Sequence, residues 1–292
     1  SETTAMRIYK LLTARKNKSL IFSLIMTAGL LLVQILPSHA TVDWTDGFEY
    51  SSYFAMNPNP WQSSCPTDDT VLFPTTERKF SGSKSLKMVF RGQQGTSTRL
   101  ATPGYKSCFI TRNFNAPSET VFTRWYMYME NFAINNTSTK VTRVEMAGVQ
   151  PGIWWLFMFG SPVLAASVEG IVNNAGQIAT ETVYGGTLPQ NQWVCVETQQ
   201  TMSTPGVDNG IVRQWINGTQ TLNKTNQRMR SATVVGSNGP NGKFQTIKIY
   251  VQDGLGNMYL DDYAVSRDAR IGCSGSTPSS DTTAPQPPTG VR

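Results

Sequence analysis

Histidine is almost missing: His39 is the only one among 292 residues. It falls in an N-terminal stretch that reads as an export signal, so the domain behind it has none. That excludes Ser-His-Asp and Cys-His nucleophile systems and the usual histidine-containing metal sites. A Cys-x-x-Cys pair is also missing; Cys65, Cys108, Cys195 and Cys273 stand too far apart in sequence for the spacing of a structural zinc site. No Glu-x-Asp-x-x-Glu run places carboxyl groups side by side on one strand. Glu197 has Gln199 at i+2, and Asp261 and Asp262 point to opposite strand faces, so paired-carboxylate glycoside hydrolysis has no evident machinery. Nor is there an amphipathic helical pattern of any length across residues 41–273.

What is present begins with a leader. Arg7, Lys10, Arg15, Lys16 and Lys18 precede an apolar stretch over 20–36, followed by the small-x-small signal Ser38-His39-Ala40. Cleavage is expected after Ala40, making 1–40 a signal peptide with 1–5 as read-through upstream of the true start. The alternative is an uncleaved anchor; against it, polar Pro37-Ser38-His39-Ala40 follows the stretch instead of a positive stop-transfer run. The chain is thus expected to be secreted, with no membrane association after cleavage. The leader carries five of the 25 basic residues and one of the 19 acidic ones, leaving 20 against 18. Such a balance has no nucleic-acid footprint. All four cysteines lie in the exported part, where disulfides form. Two bridges allow three connectivities, and proximity in sequence alone pairs Cys65 with Cys108 and Cys195 with Cys273.

Period-two alternation predicts strands over 120–130, 152–159, 177–183, 193–202, 211–216, 244–252 and 258–266. Turn signals separate several of them: Asp208-Asn209-Gly210, Asn217-Gly218, Asn238-Gly239-Pro240 and Asn241-Gly242. Residues 41–273 therefore read as one all-β sandwich or barrel. From 274 the composition turns to Ser, Thr and Pro, a linker too poor in apolar groups to fold. Its end, from Asp281 to Val291, resembles the opening of a fibronectin type III repeat, which implies further modules beyond residue 292.

Several strands pair an apolar row with a polar one. Arg124, Tyr126 and Tyr128 alternate with Trp125, Met127 and Met129; Glu197 and Gln199 follow Trp193 and Cys195; Arg213 and Trp215 alternate with Val212 and Ile216; Lys248 and Tyr250 alternate with Ile247, Ile249 and Val251. If the polar rows share one face, they line a groove suited to a saccharide: aromatic rings offer flat apolar surfaces, and arginine can hold a carboxylate bidentately. The alternative is a polar outer face with the tryptophans inside.

Asp46-Gly47-Phe48-Glu49, residues 81–86, residues 123–128, residues 193–197, residues 210–218 and residues 258–266 occur in an order that resembles the concanavalin A-like jelly-roll polysaccharide lyases, and most closely the glucuronan and alginate group. The resemblance spans most of 43–270. It implies a concanavalin A-like jelly-roll β-sandwich of two antiparallel sheets and a polysaccharide partner. Many family members use a His and Tyr pair, which this domain cannot supply. The implied lyase site is therefore histidine-free: Tyr126 or Tyr128 moves the proton while Arg124 and Lys140 or Arg143 neutralise a uronate carboxylate. Arg143-Val144-Glu145 resembles the Arg-x-Glu patches of alginate lyases, although their Gln-Ile-His element has no counterpart. The expected binding residues are Arg143, Glu197, Gln199, Arg213, Trp215, Lys248 and Tyr250. No cofactor is expected other than a structural calcium at Asp46, Glu49 and Asp261 (or Asp262), should the first and last strands pair. Three functions stay open: a polysaccharide-recognition domain, a β-eliminating lyase, and a structural or adhesive domain like laminin G.

Overall fold

The computed structural model describes residues 40–56, 60–65, 70–94, 103–133, 138–146, 152–157, 161–172, 178–233 and 241–273. The expected leader (all but Ala40), the linker and the fibronectin-like start lie outside them, as does the Asn238-Gly239-Pro240 turn. In chain order the strands are β1 (Val42–Asp46), β2 (Gln62–Ser63), β3 (Leu72–Thr75), β4 (Ser85–Gly92), β5 (Cys108–Ser118), β6 (Thr120–Ala133), β7 (Thr139–Met146) and β8 (Gly152–Phe157). They continue with β9 (Val163–Val172), β10 (Ile178–Thr187), β11 (Trp193–Thr201), β12 (Gly210–Ile216), β13 (Thr219–Gln227), β14 (Phe244–Gln252) and β15 (Gly254–Ser266). One helical turn, α1 (Tyr53–Met56), interrupts them. Among the described residues no helix is long and apolar enough to cross a membrane.

The strands form two antiparallel sheets. Sheet I has eight, in the order β13-β12-β11-β6-β15-β4-β3 with β1 also on β15; sheet II has seven, in the order β10-β9-β8-β7-β14-β5-β2. Period-two alternation builds the layer between them, because every second residue turns inward. Trp125, Met127, Met129, Val194, Val196, Met258 and Leu260 from sheet I meet Val144, Ile153, Trp155, Phe157, Ile247 and Ile249 from sheet II in one buried cluster. A polar tie crosses it: Tyr263 Oη and Thr142 Oγ1 lie 3.0 Å apart, one from each sheet. Where a hairpin must reverse in two residues, Asn217 (φ 48°) and Gly218 (φ 82°) supply the positive dihedrals that match strand twist.

The disulfides join Cys65 to Cys108 and Cys195 to Cys273. The second bridge anchors the C-terminal tail on the outer face of sheet I. There Arg270 is salt-bridged to Glu197 at 2.5 Å, the Gly272 amide donates to Glu197 at 2.7 Å, and the Arg270 guanidinium covers the Trp215 ring at 4.7 Å.

Candidate functional site

Each sheet has an outer face, and the two differ. On sheet II the outward side chains come from β5, β14, β7, β8 and β9. Register sets Tyr250 beside Phe109, Lys248 beside Arg143, and Arg143 beside Trp154. The rings meet: Phe109 and Tyr250 stack at 5.3 Å, and Tyr250 meets Trp154 edge-on at 5.3 Å. Against β8, a register shift between Lys140 and Thr142 marks a bulge in β7. Strict alternation would send Lys140 and Arg143 to opposite faces; the extra residue re-aims Lys140 onto the same one. Both then lie against Trp154, Lys140 Nζ at 4.7 Å and the Arg143 guanidinium at 4.5 Å from the ring centroid. Lys140 also lies 5.9 Å from the Tyr250 ring, and Lys248 lies 4.1 Å from the Phe109 ring.

The charges are partly consumed within the face. Arg143 is salt-bridged to Glu145 at 3.1 Å and to Glu169 at 2.6 Å, and Lys248 reaches Glu145 at 2.7 Å. Lys140 makes no ion pair among the described residues, so it is the cation left to a ligand. Its amine is held below the ordinary lysine range, chiefly by burial and against the pull of Glu169. Burial pushes the Tyr250 hydroxyl up, with Asp253 adding to it, so the phenol stays protonated. Arg143 Nε and Trp154 Nε1 are buried donors without a partner. Such donors cost about 1–3 kcal/mol each when unsatisfied, and Trp193 Nε1 on the outer face of sheet I is another, so they do not by themselves distinguish the two faces. Gly152 makes room for Arg143, since a Cβ there would sit 2.7 Å from Arg143 Nε and 2.6 Å from the Val144 carbonyl oxygen.

No family model and no curated protein matches the chain. Among solved structures, a marine PL-14 alginate lyase from Aplysia kurodai has a TM-score of 0.54 at 13% identity, over 78% of this chain and 100% of its own. The fold is a jelly-roll β-sandwich. A cellulose-induced protein, Cip1, has a TM-score of 0.49 at 18% identity, over 79% of this chain and 99% of that one. An endo-β-1,4-glucuronan lyase from the fungus Trichoderma reesei has a TM-score of 0.48 at 14% identity, over 77% and 95%.

The expected single groove is divided by this fold. Lys140, Arg143, Lys248 and Tyr250 come together on sheet II. Arg124, Tyr126, Tyr128, Glu197, Gln199, Arg213 and Trp215 lie on the outer face of sheet I, across the core. That face is also covered. Phe80 stacks on Tyr126 at 3.5 Å, Arg78 lies over Tyr128 at 4.5 Å while bonded to Glu130, and the tail occupies Glu197 and Trp215. Tyr126 and Tyr128 are buried beneath Phe80 and Arg78, so the structure does not set them in an open groove beside Lys140, the cation expected to act with them. Arg124 donates to the Asp262 carbonyl at 3.2 Å, and Arg213 bridges Gln199 and Asn223 at 3.1 and 2.8 Å.

β1 does pair with β15, but among the described residues the carboxylate oxygens of Asp46, Glu49 and Asp261 are not gathered within ligand distance of one another. Asp46 accepts from the Phe48 amide, Tyr50 Oη and Trp61 Nε1 and is salt-bridged to Arg112. Glu49 accepts from Ser83 and Lys84, and Asp261 from the amides of Phe80, Ser81 and Asp262. Asp46 ties down the segment from Phe48 to Trp61, while Asp261 and Glu49 both hold the 80–84 turn. Among the described residues, the ligand-distance cluster of Cys, Asp and Glu is Cys195, Glu197 and Cys273, whose two sulfurs are already bonded to each other.

Phe109, Trp154 and Glu169 went unrecognised in the sequence as parts of the site. The Trp154-Trp155 pair carried the signal, since adjacent tryptophans on a strand must face opposite ways and one of them must leave the core.

Proposed function

We propose that the domain is a polysaccharide-recognition module whose binding face is the outer side of sheet II, and that its ligand is an acidic glycan. The observation that carries this reading is the run of rings Trp154, Tyr250 and Phe109 interleaved with Lys140 and Lys248. Rings stack on the C–H faces of sugars, and an amine without a carboxylate partner answers a sugar acid. The alginate lyase of similar fold named above is in keeping with this reading.

A second reading rests on one pairing. Lys140, an amine whose hold on its proton is weakened by burial, shares the face with the protonated Tyr250 hydroxyl. In β-elimination the neutral amine would take the C5 proton of a uronate, the C4–O4 bond would break with its electrons going to oxygen, and Tyr250 would protonate that oxygen.

The two readings predict opposite pH dependence. Binding through the ammonium weakens as pH rises through the lowered value of Lys140; elimination, which needs the free amine, accelerates over the same range. The test mixes the protein with alginate, glucuronan, hyaluronan and heparin-type chains. Affinity electrophoresis reports retardation, and ultraviolet absorbance reports the conjugated double bond of elimination. Recognition predicts retardation by at least one acidic chain without an absorbance rise. A rise abolished by Lys140→Ala replaces it with the lyase. Silence in both assays leaves a structural domain.

A further inference from the structure

Trp154 points away from the core yet is 4% exposed, and the charged ends of Lys140 and Arg143 both lie against its ring. Arg143 is fixed there by two glutamates and by the space at Gly152. Lys140 has no ion pair among the described residues, and it sits over Trp154 and beside Tyr250. It thus occupies the aromatic surface on which a pyranose would stack. We infer that Lys140 is the specificity gate of this face, closing the Trp154 ring to neutral glycans and opening it to acidic ones. The inference rests on the glycan-binding reading of the face and adds to it how the face would choose.

The argument is a comparison of two seats for one ammonium. A neutral sugar must displace Lys140 from its cation–π contacts and gives the charge nothing in exchange, so its stacking is offset by the lost contact. A sugar bearing a carboxylate offers a charge-assisted hydrogen bond, and the lysine swings from ring to carboxylate as the ring is uncovered. Selectivity then comes from an obstruction that only the right ligand removes, beyond any added attraction. The bulge in β7 is what puts the lysine in that seat.

The test pairs two oligomers that differ in one group, the tetramer of β-1,4-linked glucuronate and cellotetraose, its neutral counterpart. Titration calorimetry is run on the wild-type protein, Lys140→Ala and Lys140→Met, with melting temperatures to confirm that each variant is folded. The wild type is expected to bind the acidic tetramer and cellotetraose only feebly. Lys140→Ala, which removes both charge and cover, should lose roughly tenfold on the acidic tetramer and gain roughly three- to tenfold on cellotetraose. Lys140→Met removes the charge but keeps an apolar cover, so it should lose on the acidic tetramer and gain less on cellotetraose. Loss on both oligomers in Lys140→Ala overturns the gate while leaving the binding face intact. Equal binding of both by the wild type also overturns it. If none of the three proteins binds either oligomer, the binding face itself is wrong and the gate falls with it.

Discussion

The Asp46 carboxylate accepts hydrogen bonds from the Phe48 amide at 2.8 Å, Tyr50 Oη at 2.6 Å and Trp61 Nε1 at 2.8 Å, and holds Arg112 at 3.1 Å. It is 6% exposed, so removing its charge strands a half-buried guanidinium and several donors. Asp46→Ala is expected to cost about 3–5 kcal/mol, read as a shift in the urea midpoint with an unchanged slope. At this same scale the sequence was legible in kind but not in place. Lys140, Arg143, Lys248 and Tyr250 were recognisable as groups for an acidic sugar. Tyr126 and Tyr128 showed the same aromatic and cationic neighbours, and a period of two says nothing about what lies on top of a strand. Phe80 and Arg78 come from a loop some fifty residues earlier, beyond the reach of any local pattern.

Among the elements, β6, β11, β12, β14 and β15 were readable because each carries an apolar row at every second position, and Asn217-Gly218 marks the end of β12. β13 was not, because Thr219–Gln227 is polar on both sides and pairs only with β12, as a sheet edge. The β7 bulge was equally silent, since one extra residue leaves composition untouched while turning Lys140 to the other face. The tail after β15 is held by the Cys195–Cys273 bridge, which closes a separation of 78 residues. On chain entropy alone such a loop stabilises by about 4 kcal/mol, so replacing both cysteines by serine should lower the melting temperature by many degrees. Because this tail covers sheet I, glycan binding by the variant should be unchanged below its melting point. A loss of binding in protein still folded by circular dichroism would place the ligand under the tail instead.

Over the whole molecule, one pH response lies on the side remote from the proposed site. Burial raises Asp261 to about 7 despite the three amides that donate to it. A carboxyl lifted on folding takes up a proton as the chain folds. Its contribution to stability is full below about pH 4 and is lost as pH rises through 7. Asp261→Asn should therefore lower the melting temperature overall yet flatten its decline between about pH 4 and pH 7; an unchanged slope would assign that decline to other groups. The sandwich itself separates two aromatic and cationic faces by a closed core; on sheet II Lys140 lies against the rings without an ion pair among the described residues, whereas on sheet I Arg213 is engaged by the amides of Gln199 and Asn223.

The most direct measurement is titration calorimetry of an acidic polysaccharide against two single variants, Tyr250→Ala on sheet II and Arg213→Ala on sheet I. Tyr250→Ala is expected to weaken binding by at least about tenfold, as for a central aromatic anchor, with Arg213→Ala within about twofold of wild type. The reverse order, with Arg213 essential and Tyr250 dispensable, would move the binding face to sheet I and contradict the account.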